Sequence, residues 1–153
     1  MKIQLTVDQP ARGGYVWGCP QNKELKNPNE FYNCWEYCME GQCTELYAPS
    51  IMDIFRTSEL EKIIPRWGKL ISPGGKIVLG GVDLYILSRE AIRRSKDLGQ
   101  INDILFDKSY GIQSITSAGS TREFLKSQGF SVSNVMIDYD NFTYVVEGIK
   151  DAS

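Results

Sequence analysis

Apolar residues fall along this chain in short blocks, and the blocks carry two different periods. A run of apolar and β-branched residues from Ile3 to Val7 reads as a first strand, broken at Asp8-Gln9-Pro10. Tyr15–Gly18 reads as a second, short strand, and residues 21–33 (QNKELKNPNEFYN) are polar and Asn/Pro-rich, a loop signature. Cys43–Ala48 (CTELYA) predicts a strand ended by Pro49. Leu60, Ile63, Ile64, Trp67, Leu70 and Ile71 then recur with helical period, with Ser58 as the expected N-cap and Pro65 as the expected site of a kink or break. SPGG stops that helix, and KIVLGGVDL follows as a buried strand. From about Leu87 to Lys108 the pattern is helical with a break near Gly99. STREFLKSQG predicts a compact helix capped by Ser120 or Thr121, supported by Glu123 and ended by Gly129. FSVSNVMIDYD and FTYVVEGIK are two closing strands turned at Asp140-Asn141.

Strands alternating with helices predict an α/β fold with a mostly parallel sheet, and the final strand pair adds an antiparallel edge. The first two strands are awkward. ARGG is too short for a helical crossover, so the expectation is an antiparallel pair or a second strand placed elsewhere. No repeat or low-complexity segment interrupts the chain, and 153 residues make one domain, 1–153.

Composition narrows the function classes. Hydrophobic residues at 42% and charged residues at 24% are ordinary for a globular protein. A net charge of −2 offers no footprint for nucleic acid or an anionic membrane. The apolar runs are too short to span a bilayer, and Met1 leads straight into strand-like sequence, so a cytoplasmic protein is expected. The chain has no histidine, which excludes Ser-His-Asp and Cys-His catalysis. Acid–base work would fall to Asp, Glu, Lys, Tyr or Cys. Its four cysteines, Cys19, Cys34, Cys38 and Cys43, lack paired Cys-x2-Cys knuckles, so reduced buried thiols are expected. A metal or a disulfide is the alternative.

Taken together, several segments carry a resemblance. Tyr47-Ala48-Pro49-Ser50-Ile51-Met52-Asp53-Ile54-Phe55, Leu70-Ile71-Ser72-Pro73-Gly74-Gly75, Val82-Asp83-Leu84 and Leu125-Lys126-Ser127-Gln128-Gly129-Phe130 stand in order and at similar spacing. They resemble the class I S-adenosylmethionine-dependent methyltransferases, in particular short members associated with surface-glycan genes and phages. There a strand ending Tyr-Ala-Ser-His leads to Val-Leu-Glu-His-Phe, then Leu-Lys-Pro-Gly-Gly, then Pro-Asp-Leu, and later a Leu-x-x-x-Gly-Phe helix end. The resemblance covers residues 43–149 well and the first 42 loosely.

It implies a Rossmann-like sheet, abbreviated at its N-terminus, with S-adenosylmethionine beyond the carboxyl ends of the strands. Thr6, Asp8, Cys19, Ala48 and Ser50 would border the cofactor. Asp53 and Asp83 would be the carboxylates placed as bases, with Tyr85 and Tyr110 orienting an acceptor, a small molecule or a glycan. Several of the family's features are replaced here. Val7–Pro10 stands for the glycine loop, Cys19 for the acidic ribose ligand, and Ser50 and Ile54 for two histidines. Cofactor binding is therefore expected to be impaired. A non-catalytic binding or assembly protein, homodimeric through a sheet edge, is the alternative. In that reading the aromatics Phe31, Tyr32, Trp35 and Tyr37 pack over the sheet or line an interface; a cysteine-based metal protein is the second alternative.

Overall fold

The computed structural model describes residues 1–6, 12–17, 38–93, 97–106, 112 and 114–152. Its strands are β1 (Lys2–Gln4), β2 (Val16–Trp17), β3 (Cys43–Ala48), β4 (Ile71–Val82), β5 (Phe130–Asp138) and β6 (Thr143–Lys150). The helices are α1 (Thr57–Leu70), α2 (Leu84–Ile92), α3 (Leu98–Phe106) and α4 (Ala118–Ser127). One six-stranded sheet runs in the order β2-β1-β3-β4-β6-β5. The first four strands are mutually parallel, and β6 alone is reversed, running antiparallel to both of its neighbours, β4 and β5. This is the mixed, Rossmann-like sheet expected from the sequence.

The N-terminal pair overturns both expectations for it. β2 lies parallel to β1, with Ile3 opposite Val16 and Gln4 opposite Trp17. A helix is not needed to return the chain because the strands are only three and two residues long. Climbing back over about 10 Å is within reach of the short connection at roughly 3.3 Å per residue. Gly13 and Gly14 serve that connection. Tyr15 N–H donates to the Arg12 carbonyl at 3.1 Å, closing a turn, and Gly14 sits at its third position with φ +84°. Only glycine takes that conformation cheaply, as a type II turn requires.

Other element boundaries shift for local reasons. α1 begins one residue before the expected cap: Arg56 is the N-cap, and its N–H donates to the Glu59 carboxylate at 2.9 Å. The helix continues through Pro65 without interruption. SPGG does not lie outside the strand but forms an irregularity within β4, where the register to β3 jumps from Cys43–Ile71 to Glu45–Lys76. The break between the middle helices falls before Leu98, so Gly99 lies inside α3. Ser117, not Ser120 or Thr121, caps α4: its Oγ accepts from Ser120 N–H at 3.1 Å.

One face of the sheet carries the core. Ile3, Leu5, Leu46, Ala48, Ile77, Leu79, Tyr144 and Val146 are all buried, matching the period-2 alternation of strands. Ile63, Ile64, Trp67 and Leu70 of α1 and Leu125 of α4 belong to the same cluster. Phe55 meets Trp67 edge-on at 6.3 Å. A charge row crosses the other face, Lys2–Glu45–Lys76–Glu147, at 3.4, 3.5 and 3.3 Å. Burial pushes the Glu45 carboxyl up, but Tyr15, Lys76 and Lys2 together hold it below its ordinary value. Each such pair adds at most about 1 kcal/mol. Among the described residues no helix is long and apolar enough to cross a membrane.

Candidate functional site

In a parallel sheet of this kind the chemistry belongs beyond the carboxyl ends of the strands. There β1, β3 and β4 end at Gln4, Ala48 and Val82. Thr6 is buried, and its hydroxyl accepts from Gln4 Nε2 at 3.0 Å. Gln4 is itself 1% exposed and its Oε1 accepts the Arg12 N–H at 3.0 Å. The Arg12 guanidinium lies over the Tyr47 ring at 4.1 Å and donates to the Tyr47 hydroxyl at 2.7 Å. Ala48 has no exposed surface. Ser50 is exposed. Asp8, Cys19 and Tyr110 lie outside the described residues, as do Cys34, Phe31, Tyr32, Trp35 and Tyr37.

Asp53 sits in a short 3-10 turn, Ile51–Asp53, that follows β3. It is fully buried, and its Oδ1 accepts the Val82 N–H at 2.8 Å. Two glycines make that approach possible. A Cβ on Gly81 would stand 2.5 Å from Asp53 Oδ1, and one on Gly80 would stand 2.2 Å from the Pro49 carbonyl oxygen. Glycine inside a strand marks such close approach, and Gly80-Gly81 was the available sequence signal.

Asp83 follows β4 directly and is 4% exposed. Its Oδ1 accepts from Ile86 N–H at 3.0 Å, capping α2. Its Oδ2 accepts from Ala118 N–H at 2.8 Å, in the first turn of α4. One carboxylate thus joins two helix N-termini, where a negative charge is favoured. Ser114 stitches the intervening loop to the β3–α1 connection, its hydroxyl lying 3.0 Å from the Met52 carbonyl and 2.6 Å from that of Phe55. Tyr85, by contrast, is 74% exposed on α2.

Tyr144 completes the frame and was not singled out from the sequence. Its hydroxyl lies 2.5 Å from Thr116 Oγ1 and 2.6 Å from Thr121 Oγ1. Burial, aided by the charges of Asp53 and Asp83, raises its pKa from 10.0 to about 12. A folded-state pKa above the unfolded one favours the protonated form. Stability from this group is therefore intact below pH 10 and is lost as the pH rises from 10.0 to about 12. The expected loss is about 3 kcal/mol, read by denaturant unfolding at the two ends of that window. Tyr144→Phe should cost about 1 kcal/mol at neutral pH and remove this part of the alkaline decline.

A cavity of about 580 Å³ opens at the opposite, amino-terminal end of β3 and β4, lined by Cys38, Met39, Glu40, Arg66, Lys69 and Leu70. It lies away from the strand ends where the fold places its chemistry.

No protein-family model and no curated protein matches the chain. Solved structures do. A Bordetella parapertussis protein described as a possible exported protein aligns at TM-score 0.60 and 14% identity, over 92% of this chain and 45% of its own. The 1,6-didemethyltoxoflavin-N1-methyltransferase of Burkholderia thailandensis, solved with S-adenosylhomocysteine, aligns at TM-score 0.58 and 9% identity, over 99% of this chain and 71% of its own. Magnesium protoporphyrin IX methyltransferase of Synechocystis, also solved with S-adenosylhomocysteine, aligns at TM-score 0.53 and 10% identity, over 90% of this chain and 52% of its own. This chain therefore spans about half the length of two of them. At such identities the likeness establishes the fold alone: a small Rossmann-like α/β sheet of the kind these methyltransferases share.

Proposed function

We propose that this chain is an S-adenosylmethionine-dependent methyltransferase-like protein whose cofactor site is impaired. The fold supports the first half of that reading, and solved neighbours of the same fold hold S-adenosylhomocysteine. The second half is carried by the described floor of the site. Ala48 is sealed, the Thr6 hydroxyl is engaged by Gln4, and Ser50 is the exposed one of the three. These residues fit a sulfonium nucleoside poorly. The ribose hydroxyls need an acceptor, and the sequence offers the poor thiol acceptor Cys19 where the family has an acidic residue, while Ala48 brings no polar side chain at all.

The two buried aspartates support the same reading. Asp53 is spent on a strand amide and Asp83 on two helix amides, so both serve the frame. Tyr110 remains the candidate for orienting an acceptor, and a small molecule or glycan in the cytoplasm is the acceptor class we assign. An active enzyme is the second reading, favoured by the bound product in the neighbouring structures.

Calorimetric titration separates the two. With S-adenosylmethionine and S-adenosylhomocysteine the expected dissociation constants are weaker than about 1 mM. A micromolar constant for either would replace the impaired site with a working one.

A further inference from the structure

The most distinctive chemistry outside the strand ends lies at the opposite end of the sheet. Met39–Gln42 form a turn closed from both sides: Gln42 N–H donates to the Met39 carbonyl at 3.2 Å, and Met39 N–H to Gln42 Oε1 at 3.3 Å. Gly41 N–H donates to the Lys69 carbonyl at 2.9 Å, which pins the turn to the end of α1. The residues flanking a closed four-residue turn face each other across it. Here they are Cys38 and Cys43, both buried and near enough to perturb one another's titration. Both are free. Cys43 is fully buried and its Sγ donates to the Glu45 carbonyl at 3.2 Å, whereas Cys38 lines the 580 Å³ cavity beside Arg66 and Lys69.

We infer that Cys38 and Cys43 form a dithiol that a peroxide oxidises to an intramolecular disulfide. The placement assigns the order of events. Cys38, at the cavity wall, gives its proton to solvent and its sulfur attacks one peroxide oxygen. The O–O bond breaks, hydroxide leaves, and Cys38 becomes a sulfenic acid. The Cys43 sulfur then attacks the Cys38 sulfur and expels the sulfenic oxygen as hydroxide, which leaves as water with the Cys43 proton. Two thiols lose two electrons, and hydrogen peroxide is reduced to two waters. Disulfide geometry demands Cβ atoms about 4 Å apart, and only the closed turn Met39–Gln42 separates the two cysteines along the chain. Burial pushes both thiols up, Cys43 to about 11, so oxidation is slow at neutral pH and accelerates as pH rises.

The test uses the intact protein treated with hydrogen peroxide, then alkylated, denatured and cut after glutamate. Cleavage after Glu40 separates Cys38 from Cys43 along the chain. The expected result is a pair of fragments, one carrying each cysteine, that stay joined until a reductant is added. The same pair should form in Cys34→Ser, and faster at pH 9 than at pH 7. Alkylation of both thiols after oxidation, a sulfinic acid at either, or joining to Cys19 or Cys34 instead would overturn the inference.

Discussion

Gly80→Ala is expected to unfold the protein. The added methyl would stand 2.2 Å from the Pro49 carbonyl oxygen and 2.4 Å from that of Tyr144, distances no real Cβ contact shows. Both obstacles are backbone, one on the β3–α1 connection and one on the neighbouring strand β6, so no side chain can swing aside. Relief requires β4 to move away from β3 and β6, the two strands it pairs with in the middle of the sheet. Overpacking of this kind exceeds the usual ~1–3 kcal/mol, and a loss above about 4 kcal/mol consumes most of a small domain's stability. Gly119→Ala is the matched control. Its nearest neighbour would be Ser117 Oγ at 4.0 Å, and a helical alanine should stabilise by up to about 1 kcal/mol. Circular dichroism of the two variants checks both. A folded Gly80→Ala protein with an unchanged melting temperature would mean that the β3–α1 connection does not press on β4.

Asp83→Ala carries the next largest effect, a loss of about 3–5 kcal/mol. Two buried N–H groups, those of Ile86 and Ala118, lose a charged acceptor at once. Asp83→Asn recovers little, because its amide presents an acceptor to one N–H and a donor to the other. About 2–3 kcal/mol of the loss should remain. Chemical denaturation measures this directly. It also bears on catalysis, since any turnover lost in Asp83→Asn must be compared at equal folded fraction. If Asp83→Asn melted with the native protein and only activity fell, Asp83 would be a base and not a brace.

The methyltransferase-like order of elements was legible because each element announces itself within its own dozen residues. The α1 stripe from Leu60 to Leu70, the paired strands at the C-terminus and the Asp140-Asn141 turn need no distant partner to be read. Boundaries were less legible, since a cap depends on which neighbour reaches back. Ser117 was passed over for Ser120, although each supports the other. The candidate site was read least well. Asp53 and Asp83 stood out as carboxylates at strand ends, but Gln4 and Tyr144 in strands and Ser114 in a loop did not, because a lone polar residue has no local mark of what it will meet.

By itself, then, the amino-acid order settled the alternation of strands and helices, the single α/β layer and the absence of histidine chemistry. Those follow from local periodicity and from composition. Tertiary structure alone decided that β1 and β2 run parallel, and that the two aspartates end on amides 29 and 35 residues away. It also decided which cysteines face one another across a turn. A hydrogen bond joins whatever the fold brings within 3 Å, and residues so far apart along the chain meet only after the sheet has assembled.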